Sequence, residues 1–142
     1  SLPGKAIYKK MKIRRKRNMI IKESAENYLE AILMIKRQKG HVRSVDIANQ
    51  LNYTKPSVSV AMKSFREEGY ITMDSVGGIS LTEKGMKIAS GVYERHEVIA
   101  RALIALGVDE KIAYEDSCKV EHDISDETFT ALKKYLRSKG IM

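Results

Sequence analysis

Cys118, Glu121 and His122 sit three and four residues apart in a stretch, about 109–124, whose pattern predicts a helix. On a helix those intervals turn a thiol, a carboxylate and an imidazole to one face. These are side-chain types that ligate divalent transition metals. Asn27 and Glu30 repeat the three-residue interval on an earlier helical stretch, and His96 falls within a third. The chemistry on offer is a metal ion that gathers three helices. Each residue also has a plainer reading. A lone Cys is commonly a small buried apolar residue, a Glu-His pair on a helix is commonly solvated, and a carboxylate at the edge of an apolar stripe, as Glu30 is, ordinarily faces water.

The elements that must carry these residues follow from apolar spacing. Ala25, Tyr28, Leu29, Ile32, Leu33 and Ile35 predict a first helix at about 24–39, capped by Ser24 and stopped by Gly40. Arg43 to Leu51 predicts a short second helix with Val45, Ile47, Ala48 and Leu51 available to the core. After the turn Asn52-Tyr53-Thr54, Pro56 opens a third helix, with Val58, Met62 and Phe65 inward and Ser57, Ser59, Val60 and Lys63 on other faces. Tyr70–Met73 and Ile79–Leu81 flank a loop containing Gly77 and Gly78, which reads as a hairpin. Two short helices joined by a tight turn and followed by a hairpin make a winged helix-turn-helix, a DNA-binding arrangement.

Thr82 then caps a long fourth helix, about 83–106, that should join the two halves rigidly. Asp109 caps a fifth helix holding Cys118, Glu121 and His122, and Ser125 caps a sixth with Phe129, Leu132, Tyr135 and Leu136 on one face. These last helices carry more apolar surface than one small bundle needs, which suits a twofold interface.

The 142 residues include 26 Lys and Arg against 18 Asp and Glu, a net charge of +8. Nine of those basic residues and no acid fall in residues 1–22, so the body is close to neutral. Such a block reads as a disordered extension that binds polyanions. Ser1-Leu2-Pro3-Gly4 looks like a non-native leader, with Met11 or Met19 as natural starts. A single Cys excludes an internal disulfide, and no apolar run suits a membrane span or secretion signal, so a cytoplasmic protein is expected.

Ser24-Ala25-Glu26-Asn27-Tyr28-Leu29-Glu30, Pro56-Ser57-Val58-Ser59, Leu81-Thr82-Glu83-Lys84-Gly85, Arg95-His96-Glu97 and Cys118-x-x-Glu121-His122-x-x-Ser125 together resemble the diphtheria-toxin-repressor family of metal-dependent transcription regulators, including its manganese-responsive branch. The resemblance covers about residues 22–138. It implies a mainly α chain: a basic extension (1–22), a winged helix-turn-helix domain (23–82), and a helical metal-binding and dimerisation domain (83–142). The C-terminal SH3-like domain of longer members is not expected. It also implies a homodimer that binds a palindromic operator when loaded with metal, repressing metal-uptake genes.

By that resemblance the metal ligands are Asn27, Glu30, His96, Cys118, Glu121 and His122. Asn27 stands where the manganese branch has an Asp; Glu30 follows the manganese branch and Cys118 the iron branch. The ancillary site of the iron branch would need ligands where this chain has Ala100 and Tyr114, so it is expected to be broken. A thiolate favours Fe(II), Co(II), Ni(II) or Zn(II), and the oxygen donors pull toward Fe(II) and Mn(II). Iron(II) is the expected ion, with manganese second; zinc, cobalt or nickel would bind in vitro.

For DNA, Pro56, Ser57, Ser59 and Val60 are expected near base edges. Ser44, Thr54, Lys55 and Lys63 should lie nearer phosphates, with Gly77 and Gly78 over the flanking backbone. Two rival classes remain open. One is a winged-helix repressor sensing a small organic ligand or Cys118 oxidation. The other is a metal-dependent hydrolase, for which no His-Glu-x-x-His or similar motif is present, so neither enzymatic activity nor a small organic substrate is expected.

Overall fold

The computed structural model describes residues 23–142, so the expected basic extension lies outside the described residues. Helix α1 spans 23–39 among them and buries Tyr28, Leu29, Ala31, Ile32, Leu33 and Ile35. Residue 23 is already helical, so Ser24 lies inside the helix and is no cap. Gly40, at φ 82°, stops it, and Lys36 Nζ donates to the Gly40 carbonyl at 2.7 Å.

Helix α2 (Ser44–Leu51) starts at Arg43, whose backbone N–H donates to the Asp46 carboxylate at 2.9 Å, and ends at Asn52 in the left-handed region. It buries Ile47 and Ala48. Val45, expected in the core, is 44 % exposed. It lies two residues before Ile47, about 200° around the helix, and so faces away from the side that α2 buries.

Thr54 caps α3 (Lys55–Glu67) by accepting from Ser57 N–H, and Pro56 stands in the first turn. Val58, Met62 and Phe65 point inward, while Ser57, Ser59, Val60 and Lys63 are exposed, as the pattern predicts. Strands β1 (Ile71–Met73) and β2 (Ile79–Leu81) pair antiparallel with Thr72 opposite Ser80. Asp74 closes their loop by accepting from Val76 and Gly78 N–H, and Gly77 takes φ 84°. Ile79 N–H reaches the Val42 carbonyl at 2.8 Å, which ties the wing to the loop before α2.

Helix α4 (Glu83–Ala105) is the continuous link between the halves. Thr82 caps it through Gly85 N–H and donates to the Gly69 carbonyl at 2.6 Å, anchoring its start on the wing. Helices α5 (Glu110–Val120) and α6 (Asp126–Ser138) pack against its far part. Asp109 precedes α5 without a side-chain cap bond, whereas Ser125 caps α6 through Thr128 N–H. Tyr135, expected among the inward residues of α6, is 59 % exposed: its neighbour Leu136 takes the buried position, and Lys139 covers the outward ring. Surplus apolar surface is present at Leu106, Ile112 and Val120, all exposed at the end of α4 and along α5.

Gly85 is buried where α4 meets the wing, and a Cβ there would run into the Tyr70 carbonyl oxygen. Gly85→Ala is therefore expected to destabilise the chain by about 1–3 kcal/mol, the usual cost of overpacking, read as a lower midpoint in urea unfolding. An unchanged midpoint would show that α4 can shift off the wing freely.

Candidate metal centre

Three parts of the chain converge. Helix α1 supplies Asn27 and Glu30, α4 supplies His96, and α5 with the turn after it supplies Cys118, Glu121 and His122. One part of the predicted geometry needs correction: α5 ends at Val120, so Glu121 is its C-cap and His122 stands in the following turn. Glu121 keeps right-handed helical torsions, φ −56° and ψ −29°, so its side chain still leaves from the end of the helix. Glu30, expected at a solvated edge, is 8 % exposed, because the α5–α6 turn closes over that side of α1.

Glu30, His96 and Glu121 each offer a ligand atom, and these atoms lie within 4.8 Å of one another. Glu121 joins two imidazoles: its Oε2 is 3.1 Å from His96 Nδ1 and its Oε1 is 3.4 Å from His122 Nε2. Cys118 borders the trio through His96, with Sγ 3.3 Å from Nδ1. Asn27 borders it through His122, with Oδ1 3.1 Å from Nε2. All six sequence-predicted ligands thus form one connected array, in which Glu30, His96 and Glu121 are central while Cys118 and the Asn27–His122 pair flank them.

The array is poorly satisfied as it stands. Glu30 Oε2 and Glu121 Oε2 are buried without a hydrogen bond. The Glu121–His96 approach is close enough for charge attraction, but it is not aligned as a hydrogen bond. Burial, then the facing Glu121 charge, push Glu30 up to about 7. Contacts with Cys118 and Glu121 outweigh desolvation and hold His96 up to about 10. Burial opposes charge on His122, yet Glu26 and Glu121 raise it above the usual imidazole value. Two buried carboxylates with bare oxygens, beside two imidazoles and a thiol, fit a divalent transition metal; protons fill the same role of charge compensation.

Beside His96, Ala100 is fully buried and the Tyr114 ring lies 5.6 Å from the imidazole, its hydroxyl donating to Glu97 at 3.1 Å. A phenol occupies the flank where an ancillary ligand would stand.

Two residues with no assigned role in the sequence reading hold this array. Glu26 Oε2 is 2.8 Å from His122 Nδ1. Arg95 donates to the carbonyls of Glu121 at 3.2 Å and Ile124 at 2.9 Å, and pairs with Asp126, lashing the ligand-bearing turn to α4. Adjacency to Asn27 and His96 was the available signal, but neighbours on a helix point about 100° apart, which argues against a shared site.

In the N-terminal half, Lys55, Pro56, Ser57, Ser59, Val60 and Lys63 are exposed along α3, Val60 at 71 %. Thr54 is exposed too, although its hydroxyl is engaged with Ser57. Ser44 is half-buried at the start of α2, and Gly77 and Gly78 are half-buried in the wing loop.

Residues 21–79 match the iron dependent repressor N-terminal DNA binding domain, and residues 82–139 match the iron dependent repressor metal binding and dimerisation domain. An uncharacterised HTH-type transcriptional regulator of Methanocaldococcus jannaschii is 37 % identical over 116 residues, covering 80 % of this chain and 93 % of that one. The transcriptional regulator MntR of Escherichia coli is 34 % identical over 119 residues, 84 % of this chain and 77 % of its own. Among solved structures, the manganese regulator SloR superposes with a TM-score of 0.69 at 28 % identity, covering 80 % of this chain and 53 % of that one. This chain therefore spans about half the length of that solved relative. No described helix is long and apolar enough to cross a membrane. With a DNA-binding half and a metal-binding half each matched in order, the chain belongs to the diphtheria-toxin-repressor family of iron-dependent repressors, which are metal-dependent transcription regulators.

Proposed function

We propose that this chain represses metal-uptake genes as a homodimer that grips a palindromic operator when Asn27, Glu30, His96, Cys118, Glu121 and His122 hold a divalent ion. The observation that carries this reading is the buried Glu30–His96–Glu121 trio with its two unbonded carboxylate oxygens. When bound, the ion supplies the positive charge that this trio lacks. Glu30 belongs to the DNA-binding half, and His96 and Glu121 to the other half. Drawing them together fixes α1 against α4 and the α5–α6 turn, and so fixes the angle at which α3 is presented. To turn a 1:99 population into 99:1, the ligands must favour the closed arrangement by roughly 5.5 kcal/mol.

The exposed apolar surface at Leu106, Ile112 and Val120 suits contact with a second copy. Pro56, Ser57, Ser59 and Val60 then face base edges, and Ser44, Thr54, Lys55 and Lys63 face phosphates, with Gly77 and Gly78 over the flanking backbone. The domain limits 23–82 and 83–142 fit this division, since α4 begins at Glu83. The proposed place of action is the cytoplasm.

Iron(II) is the proposed ion and manganese(II) the second choice. The Cys118 thiolate favours the softer ion, while Glu30, Glu121 and Asn27 suit either. The family description names iron, whereas SloR is titled a manganese regulator. A redox reading has one observation of its own: Cys118 is exposed, and its sulfur is 3.3 Å from an imidazole held cationic.

Operator binding by fluorescence anisotropy across Mn(II), Fe(II), Co(II) and Zn(II), repeated with Cys118→Ala, tests both readings. Iron(II) is expected to raise affinity most, and Cys118→Ala to erase its lead over manganese. A manganese preference that survives loss of the thiol overturns the choice of iron. Metal-independent affinity that is abolished by oxidising Cys118 would favour the redox reading.

Lys55→Ala and Lys63→Ala should each reduce the salt slope of operator binding by about one and weaken all sequences alike. An unchanged slope would remove those lysines from the phosphate contacts.

Protons compete with metal for the same atoms, so the pH dependence has a defined sign. His96 is held up to about 10 and Glu30 up to about 7, both above their unfolded values. Their contribution to metal-free stability is complete below the unfolded values. It is lost as pH rises from about 4.5 to about 7 for Glu30 and from about 6.5 to about 10 for His96. Metal-free thermal midpoints should therefore fall between about pH 6 and about pH 8, while the increment produced by Co(II) should grow over the same interval. Calorimetry in two buffers of different ionisation enthalpy should register proton release on Co(II) binding; zero release would mean that the ligands are already deprotonated.

A further inference from the structure

We infer that Glu26 is a positioning residue for the metal centre, gripping the Nδ1 edge of His122 so that Nε2 is presented to Asn27 and Glu121. The inference rests on the metal-centre reading above and goes beyond its ligand set. An imidazole has two edges, and those of His122 have different partners. Nδ1 is 2.8 Å from Glu26 Oε2; Nε2 is 3.1 Å from Asn27 Oδ1 and 3.4 Å from Glu121 Oε1. An ionised carboxylate only accepts, so the nitrogen facing Glu26 carries the hydrogen. That assigns Nδ1–H to the Glu26 side and leaves the Nε2 lone pair for coordination. Glu26 and Asn27 are consecutive on α1, and the ring is broad enough for the two to straddle it.

The consequence is electrostatic as well as geometric. Asn27 brings an oxygen but no charge to the Nε2 side. The Glu26 carboxylate supplies a negative charge one ring-width away, which makes Nε2 a stronger donor without adding an anion to the trio itself. It does so from the DNA-binding half, 96 residues from His122 in sequence. His122 is almost wholly buried, with its side chain 4 % exposed, so no water competes freely for the Nδ1 hydrogen.

The test uses the full chain with Co(II) alone as the probe, followed by the thiolate-to-cobalt absorption band of Cys118. Glu26→Gln is expected to lower Co(II) affinity about 10- to 100-fold, the range for losing such an outer partner, and to cause no further loss in a His122→Ala background. Nitrogen-15 NMR of the Zn(II)-loaded wild-type ring should show a hydrogen on Nδ1, and Glu26→Gln should shift that signal. A merely structural role for Glu26 would move neither the ring signal nor the dependence on His122.

Wild-type affinity in Glu26→Gln, or a wild-type ring protonated on Nε2, overturns the assignment. The second outcome is read on the wild-type protein and does not require the variant to fold. Failure of wild-type protein to give the cobalt band would sink the metal-centre reading and this inference with it. A normal band with an unaffected Glu26→Gln sinks this inference alone.

Discussion

Two carboxylates, Glu30 and Glu121, face each other inside the protein with unbonded oxygens, and their compensation is the constraint around which the chain is arranged. Burying an unpaired charge is costly enough that such a group ordinarily takes up a proton or finds a cation. Both responses are visible here. Glu30 is pushed up to about 7 by burial and by Glu121, and His96 is held cationic against its own desolvation. Hydrophobic burial alone would exclude these groups from the interior. Their placement at the junction of α1, α4 and the α5–α6 turn makes the strength of that junction depend on what neutralises them.

The scaffold is built to hold that junction accurately. Helix α4 begins on the wing, where Thr82 bonds Gly69 and Gly85 admits the Tyr70 carbonyl, and it reaches His96 without a break. One residue before His96, Arg95 ties the carbonyls of Glu121 and Ile124, so the turn carrying Glu121 and His122 is referenced to the same helix. Helix α1 carries the opposing set, Glu26, Asn27 and Glu30, while its apolar residues lie in the core cluster with Ile47, Val58 and Met62 of α2 and α3. A small change of angle at the centre is therefore delivered to α3 through packed side chains.

Much of this could be read in the sequence, and the residues that could not share a cause. The helices, the hairpin and the inward faces of α1 and α3 follow from spacing, because each buries an apolar stripe against neighbours of the same kind. Val45 and Tyr135 were misplaced because apolar type does not say which side of a short or terminal helix is covered. Glu30 was misplaced for the opposite reason: polarity predicts water, and only the tertiary approach of the α5–α6 turn removes it. The end of α5 at Val120 was blurred because Glu121 keeps helical torsions beyond it. Glu26 and Arg95 stand beside recognised motif residues, but their partners are His122 and two backbone carbonyls, and a carbonyl carries no letter in a sequence.

The pairing of Asn27 with Cys118 follows from the same constraint on charge. Among the six proposed ligands, Glu30, Glu121 and a Cys118 thiolate already bring three negative charges to one mostly buried place. At an effective dielectric of about 20, two unit charges 4 Å apart repel by about 4 kcal/mol, so a fourth anion at position 27 would meet several such penalties. A thiolate at 118 and a carboxylate at 27 are each reasonable alone; together they would overfill a site that has only a divalent ion and the two imidazoles to balance them. Asn27 keeps the oxygen, bonded at 3.1 Å to His122, and omits the charge. Glu26 places a carboxylate on the far edge of the ring, where His122 stands between it and the trio. On the proposed reading, a soft donor was accommodated by moving negative charge one residue along α1 and outward, which preserves the grip of α1 on the α5–α6 turn.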